Sequence, residues 1–379
     1  MFNMAQKPNI VIVGGGGCGA QVARQLSTKL KPEEYNILLV TARPYYTHLP
    51  AWIRMSVTEE GHLEDRAHVT YNYTFVNGNG QFVIGRVAST TSEEGDKTGF
   101  VTLESGETVE YSILVLTPGS LWEGPLNIPD TKKETVEHLQ TWRKKFEESN
   151  DIVLVGGGAV ALEFAGELRD TSPLLKTKRV TIVHGQELLL NEAYPKYFRK
   201  DVAKDIRKRD VEVILNDWVD DMDISEAGTI RTRNGRKLVA DLVVPCRGPS
   251  PNTKFVTLVP GTLSEENRIR VSATLQVFKY PRIFAGGDAI EWDEQKQVGK
   301  YHTHASIIAT NIVTLLKKKQ PSALYQGSFE MISISNGKHL GSSYWSIFWG
   351  PTFGDFVSST MKSKDLFLSW TRKSLGLSS

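Results

Sequence analysis

The sequence predicts an α/β chain that builds one strand–turn–helix unit twice and ends in a smaller domain of different character. Three observations predict it. Residues 10–26, "IVIVGGGGCGAQVARQL", run from a buried strand through a glycine turn into a helix, and residues 152–168, "IVLVGGGAVALEFAGEL", do so again. Lining up Gly14 with Gly156 gives an offset of 142 (156 − 14), and the same offset pairs Gly16 with Gly158, Gly19 with Ala161, Ala23 with Ala165 and Leu26 with Leu168. Repeated matches at one offset mark two copies of one unit rather than chance glycines. The last 60 or so residues are aromatic-rich and follow neither copy.

The elements follow in order. After the first strand, glycine turn and helix over 9–26, "NILLV" (36–40) reads as the next parallel strand. Residues 81–104 read as antiparallel strands around the polar turn "TSEEGDKTG", and "YSILVL" is a buried strand ending at the glycine of "TPGS". "SLWEGPLNIPD" then reads as a linker. The unit restarts with a helix over 133–148, a strand at 152–155, a glycine turn at 156–158, a helix over 159–170 and a strand at 179–183. The apolar strand "DLVVPCRG" closes it near residue 248. Later, "RIFAGGDAI" (282–290) reads as a strand ending in Gly-Gly-Asp before a helix.

In G-x-G-x-x-G the first glycine permits the tight turn and the second lets backbone N–H groups approach a pyrophosphate. The third lets the helix pack closely, with the phosphate at the positive helix N-terminus. Gly14, Gly16 and Gly19 satisfy the pattern, and Gly156, Gly158 and Ala161 satisfy its permitted variant. Each copy is thus a candidate dinucleotide-binding unit of the Rossmann type. The acidic residue expected at the end of the second strand, on the ribose hydroxyls, is absent from both. Thr41 stands there in the first copy with Arg43 just beyond, and His184 stands there in the second. A neutral or cationic group does not repel a 2′-phosphate, so NADH and NADPH both stay open. Asp288, at the close of the Gly-Gly-Asp stretch, is placed to accept a ribityl hydroxyl or to act as a plain N-cap.

Composition narrows the class. A chain of 379 residues with 40% hydrophobic and 23% charged residues is an ordinary globular protein of two or three domains. A formal charge of +2 and no sustained basic stripe leave no footprint for nucleic acid, and no nucleic-acid partner is expected. The two cysteines, Cys18 and Cys246, form no metal-site or dithiol spacing and read as packing residues. The opening "MFNMAQKPN" carries no secretory or mitochondrial pattern, and Phe2 excludes the N-myristoylation motif. A cytoplasmic protein is expected, with any membrane contact peripheral.

These motifs, in this order, resemble the two-dinucleotide-fold flavoproteins of the pyridine-nucleotide–disulfide-oxidoreductase type. Within them they resemble the ferroptosis-suppressor and apoptosis-inducing-factor-like (AMID-type) fungal relatives, near the type II NADH dehydrogenases. The likeness spans nearly the whole chain through "PAWIRMSV", "LVGGGAVALEFAGEL", "CRGPSPN", "HASIIATNIV" and the C-terminal "MKSKDLFLSW". It implies an FAD-binding domain over 1–121 and 245–318, an NAD(P)H-binding domain over 122–244, and a C-terminal interface or membrane-proximal domain over 319–379. It places Arg54 near the flavin, adds Val87, Gly119 and Gly248 to the cofactor-contacting residues, and marks Glu163, Lys362 and Phe367 as candidate catalytic residues. The usual A-T-G turn is "LTPGS" here, with Thr117 and Pro118 replacing Ala-Thr.

What the resemblance implies chemically is hydride transfer from NAD(P)H to FAD and, without a cysteine pair, direct electron delivery to an external quinone-type acceptor. Glu163 is expected at the flavin–nicotinamide junction, unless it is a structural partner of a basic residue. Lys362 would stabilise charge on a reduced oxygen; on its own it reads as a solvated surface lysine. Phe367 walls a quinone pocket or belongs to the core. His302 and His304 read as capping or surface residues rather than proton shuttles. Residues 356–379 set Lys362, Lys364, Arg372 and Lys373 against Asp365 with aromatics between, a pattern that suits an anionic membrane surface or ordinary packing. The alternative to a quinone reductase is a slowly turning redox-sensing signalling flavoprotein.

Overall fold

The computed structural model describes residues 7–92, 98–170 and 172–377. The opening "MFNMAQ" and the centre of the polar turn, residues 93–97, lie outside the described residues. Strand β1 (Asn9–Val13) is apolar and leads through the glycines into α1 (Gly17–Lys29); β2 (Asn36–Thr41) pairs with it in parallel, Val13 against Val40. Helix α2 (Leu49–Val57) is buried over most of its length. Strand β3 (Gly80–Ile84) adds in parallel to β2, which corrects the expectation that 81–104 is wholly antiparallel. Thr41 ends β2 opposite Ile84, so this segment completes the edge of the main sheet. Only the strands Val87–Ser92, Gly99–Leu103 and Thr108–Tyr111 form the antiparallel sheet, before the fully buried β4 (Ile113–Leu116).

The second unit opens with α3 (Lys132–Glu148), whose N-terminus is fixed by a capping box between Thr131 and Glu134. Then come β5 (Asp151–Val155), α4 (Ala159–Leu168), β6 (Arg179–Val183), α5 (Lys196–Arg207), β7 (Val211–Ile214) and β8 (Leu242–Pro245). The chain returns to the first sheet with β9 (Gln276–Val277) and β10 (Tyr280–Ala285), and α6 (Tyr301–Leu316) packs on α1. The larger sheet has the order β9-β10-β4-β1-β2-β3 and the smaller β7-β6-β5-β8. Both contain the same third–second–first–fourth strand order, so the internal repeat seen in sequence is a repeat of topology.

A third, smaller body follows: the antiparallel sheet β11 (Met331–Ser335), β12 (Gly341–Trp345) and β13 (Thr352–Phe353), then α7 (Asp355–Ser358) and α8 (Leu368–Ser374). Between α7 and α8 the stretch Ser359–Ser363 takes a π-helical turn, with Lys364 N–H donating to the Ser359 carbonyl at 3.0 Å. The architecture is therefore two Rossmann-like domains and a smaller C-terminal domain, with α4 packed against both α2 and β11. Among the described residues no helix is long and apolar enough to cross a membrane.

Candidate functional site

The two glycine turns are built alike. Gly14 has φ +104° and Gly156 φ +119°, and the N–H of each closes onto the end of the second strand, at Val40 (2.8 Å) and Val183 (2.9 Å). A Cβ on Gly14 would lie 2.1 Å from the Thr117 carbonyl oxygen, and one on Gly156 2.3 Å from that of Cys246. Only glycine fits there. A Cβ on Gly16 or Gly158, by contrast, meets no protein atom within 4 Å. These residues are the N-caps of α1 and α4 and make no side-chain cap, so the first helical N–H groups at the positive end of each helix have no cap from them. That is the cradle a pyrophosphate fills, and it is present twice. At Gly19 a Cβ would press within 1.9 Å of the Gly14 carbonyl, whereas Ala161 occupies the matching place without hindrance as a buried residue.

Asp288 completes the first unit, but not at the head of a helix as the sequence suggested. It lies in the single 3-10 turn Gly287–Ala289, and the next helix starts only at Tyr301 because the chain first pairs Ile290–Glu291 with Ile269–Arg270. Ser120 Oγ donates to Asp288 Oδ2 at 2.9 Å and Arg268 donates to its carbonyl at 2.6 Å. Oδ1 is sealed from solvent and takes no well-aligned donor, although the Tyr301 hydroxyl bonds to the same carboxyl. A buried carboxylate oxygen left free is costly, and a ligand hydroxyl is what satisfies it. The glycine cradle and this orphaned oxygen together fit FAD; the cradle at Gly156 and Gly158 fits the nicotinamide dinucleotide.

Two acids one turn apart on α4, Glu163 and Glu167, each receive a cation from elsewhere in the chain. Lys362 donates to Glu163 Oε1 and, at 3.0 Å, to the Ser333 carbonyl, while the Ser335 N–H donates to the same Glu163 oxygen at 3.1 Å. Glu163 and Lys362, 199 residues apart, are thus brought together, their side chains 5% and 12% exposed. Glu167 takes a two-pronged pair from Arg54, Nε and Nη2 each at 2.9 Å, and Arg54 also donates to the Ser363 carbonyl at 2.8 Å. Arg54 therefore ties α2 to α4 and to the π-helical turn that carries Lys362.

Phe367 lies just beyond, half-buried and left-handed (φ +62°), directly after the equally left-handed Leu366 (φ +53°). Successive left-handed residues other than glycine are strained, and something must hold them. His48 does: its Nε2 donates to the Leu366 carbonyl at 2.6 Å, while Nδ1 is buried without a partner. Burial pushes the His48 pKa down to about 4, so the ring is neutral.

The remaining candidates are dispersed. Thr41 is buried and donates to the Arg43 carbonyl at 3.1 Å. Arg43 donates to the carbonyls of Pro129 (2.9 Å) and Ile128 (2.5 Å) and pairs with Asp130, so it fastens the linker between the units. Val87 opens the antiparallel sheet and packs on the first core. Gly119 (φ +71°) and Gly248 (φ +91°) each precede one strand of a crossing in which Ser120–Leu121 pairs with Ser250–Pro251. His184 accepts the Gly157 N–H on Nδ1 at 3.1 Å, and burial lowers its pKa, so it presents no cation. His302 packs edge-on to Trp370. Cys18 and Cys246 are buried and unpaired, and burial pushes both thiols up. Sequence reasoning missed His48, the Arg54–Glu167 pair and the Ser333 and Ser335 backbone, for which no local motif exists.

A family model described as pyridine nucleotide-disulphide oxidoreductase matches residues 8–307. The chain belongs to this family. It is 39% identical over 325 residues to the FAD-dependent oxidoreductase FVFD30 of Flammulina velutipes, covering 86% of this chain and 100% of that one. It is 26% identical to ferroptosis suppressor protein 1 of Homo sapiens over 97% of this chain and 95% of that one. Among solved structures, the sulfide:quinone oxidoreductase of Aquifex aeolicus superposes with a TM-score of 0.77 at 18% identity, over 97% and 92% of the two chains, and so shares the fold. This pyridine nucleotide-disulphide oxidoreductase family member is an FAD- and NAD(P)H-dependent oxidoreductase that has no redox disulfide, since both of its cysteines are buried and unpaired.

Proposed function

We propose that the electrons leave for a quinone-type acceptor, making the chain an NAD(P)H:quinone oxidoreductase. In this reading the cradle at Gly14, Gly16 and Gly19 with Asp288 holds FAD in a domain of residues 1–121 and 245–318. The cradle at Gly156 and Gly158 holds NADH or NADPH in residues 122–244, and residues 319–379 form the domain that admits the acceptor. Bound FAD supplies a centre that takes hydride from the nicotinamide and gives electrons onward. The observation that carries the proposal is the Glu163–Lys362 pair, which lies between the nicotinamide-side helix α4 and the C-terminal domain.

An ammonium held at a fixed point and largely out of water stabilises negative charge developing on a carbonyl oxygen being reduced. Glu163 accepts from that ammonium and fixes its position, and the Ser335 N–H and Ser333 carbonyl keep both side chains in register. Phe367, half-buried and five residues after Lys362, is the aromatic candidate for the acceptor's pocket. A disulfide acceptor, which is reduced through a cysteine thiolate, has no exposed cysteine to meet. The acceptor class is that in the name of the sulfide:quinone oxidoreductase whose fold the chain shares.

A lipid-dissolved quinone would be met at a membrane surface. Phe348 and Trp349, 89% and 84% exposed after β12, and Phe356, 83% exposed, offer apolar contacts of the kind that enter a bilayer interface. The test is steady-state turnover of the holoenzyme with a short-chain quinone and either NADH or NADPH under nitrogen. Quinone-dependent oxidation of the nicotinamide, lost in Lys362→Met, supports the reading; turnover with oxygen or dyes but none with quinones refutes it.

A further inference from the structure

An enclosed polar cluster that the site does not use lies behind the Gly-Gly-Asp turn. His304, in the first turn of α6, is 1% exposed and accepts the Gly287 N–H on Nδ1 at 3.1 Å. An imidazole that accepts on Nδ1 and stays neutral carries its proton on Nε2. That nitrogen faces Glu294 Oε1 at 3.3 Å; both atoms are sealed from solvent, neither has a better-aligned partner, and the Lys296 ammonium lies 3.9 Å from the same oxygen. The Glu294 side chain is 2% exposed, and its second oxygen accepts from the Tyr325 hydroxyl and lies 3.8 Å from the Lys300 ammonium.

We propose that Glu294 is a positioning residue for the flavin, acting through His304 to hold the Gly287–Asp288 turn. The inference rests on Asp288 being the FAD-contacting carboxylate. The carboxylate attracts the Nε2 proton and so selects the one neutral tautomer whose Nδ1 is free to accept. In the other tautomer Nδ1–H would meet Gly287 N–H donor to donor, and Nε2 would meet Glu294 acceptor to acceptor. Gly287 sits at φ +76°, a backbone conformation that needs a fixed anchor, and its N–H is the point His304 grips. With Ser120 on Oδ2, the Tyr301 hydroxyl on the carboxyl, Arg268 on the carbonyl and His304 on the preceding residue, Asp288 is fastened and its Oδ1 keeps one direction. The arrangement is a carboxylate–imidazole–backbone relay that orients rather than reacts, analogous to the carboxylates that orient metal-bound histidines.

The test is the rate of FAD release from the holoenzyme after dilution, read as the recovery of free-flavin fluorescence. Glu294→Ala and His304→Phe should each speed release about tenfold, the loss expected for one anchoring hydrogen bond. Because Glu294 acts through His304, the double variant should be no faster than His304→Phe alone. Glu294→Gln keeps an acceptor for Nε2–H and should stay within about twofold of the parent. A merely structural role predicts instead that Glu294→Gln releases as fast as Glu294→Ala, or that the two single effects multiply; either result overturns the proposal. Should Glu294→Ala fail to fold, His304→Phe, which leaves the Tyr325 and Lys300 contacts of Glu294 in place, decides alone: unchanged release overturns it. Asp288→Ala, which removes the acceptor altogether, is the control. If it leaves release unchanged, the assignment of Asp288 to FAD is wrong; if it speeds release while the Glu294 and His304 variants do not, the relay is wrong and the assignment stands.

Discussion

Replacing Arg54 by Met would take the two-pronged guanidinium partner from a buried carboxylate, Glu167, and the structure sets the size of the effect. The pair is two-pronged, with side chains 6% and 1% exposed, and Arg54 also serves the Ser363 carbonyl. Breaking such a pair from one side costs about 3–5 kcal/mol, mostly the penalty of the charge left behind. With an unfolding entropy of about 2.1 cal/mol/K per residue, a chain of this length unfolding as one unit would lose about 4–6 °C in Tm. The two single variants differ in kind. In Arg54→Met, Glu167 escapes by binding a proton, because burial already pushes its pKa up. Its folded pKa then lies above its unfolded value, so the penalty is small near pH 4 and grows as pH rises toward neutrality. In Glu167→Leu the guanidinium cannot deprotonate, so the penalty persists at every pH. The double variant Arg54→Met/Glu167→Leu should recover most of the loss. Thermal melts followed by circular dichroism at pH 5 and pH 8 read all of this. A parent-like Tm for Arg54→Met at pH 8, or a double variant as unstable as the worse single one, would refute the reasoning.

Other consequences are as direct. Gly158→Ala should fold normally and keep its FAD, since the new Cβ meets no protein atom, yet raise the KM for NAD(P)H at least about tenfold by crowding the pyrophosphate; Gly14→Ala should fail to accumulate as folded flavoprotein. Lys362→Met should slow oxidation of reduced flavin by quinone about 100-fold while flavin reduction changes little, as separate half-reactions in stopped flow would show. His48, neutral when folded with a pKa near 4 against 6.5 when unfolded, costs the fold nothing above pH 6.5 and about 3 kcal/mol by pH 4 as the unfolded state takes up its proton. The parent should therefore lose stability across that window more steeply than His48→Gln in urea titrations.

The two glycine units were legible because their code is local: strand, turn and helix lie within 17 residues, and the close approaches at Gly14 and Gly156 forbid any side chain. The strand order followed from the repeat. The segment at Gly80–Ile84 was misread because it joins the parallel sheet as an edge, and an exposed edge strand carries no pattern that distinguishes the two directions. Asp288 was read as the head of a helix, but the pairing of Ile290–Glu291 with a strand near residue 270 intervenes. The linking contacts of the site were invisible for a different reason. Arg54 and Glu167 are 113 residues apart, and His48 and Leu366 318 apart, so only the folded chain brings them together.

In the proposed cycle both nucleotide cradles function, and electrons pass from one to the other and out to a quinone. Anaerobic stopped-flow of the purified holoenzyme with NADH and then with NADPH, followed at the oxidised-flavin absorbance, tests it most directly. Rapid bleaching by at least one donor is expected, with recovery of the absorbance when a short-chain quinone is mixed in. Flavin that is present but stays oxidised with both donors would contradict it, leaving the second cradle a relic of the duplication.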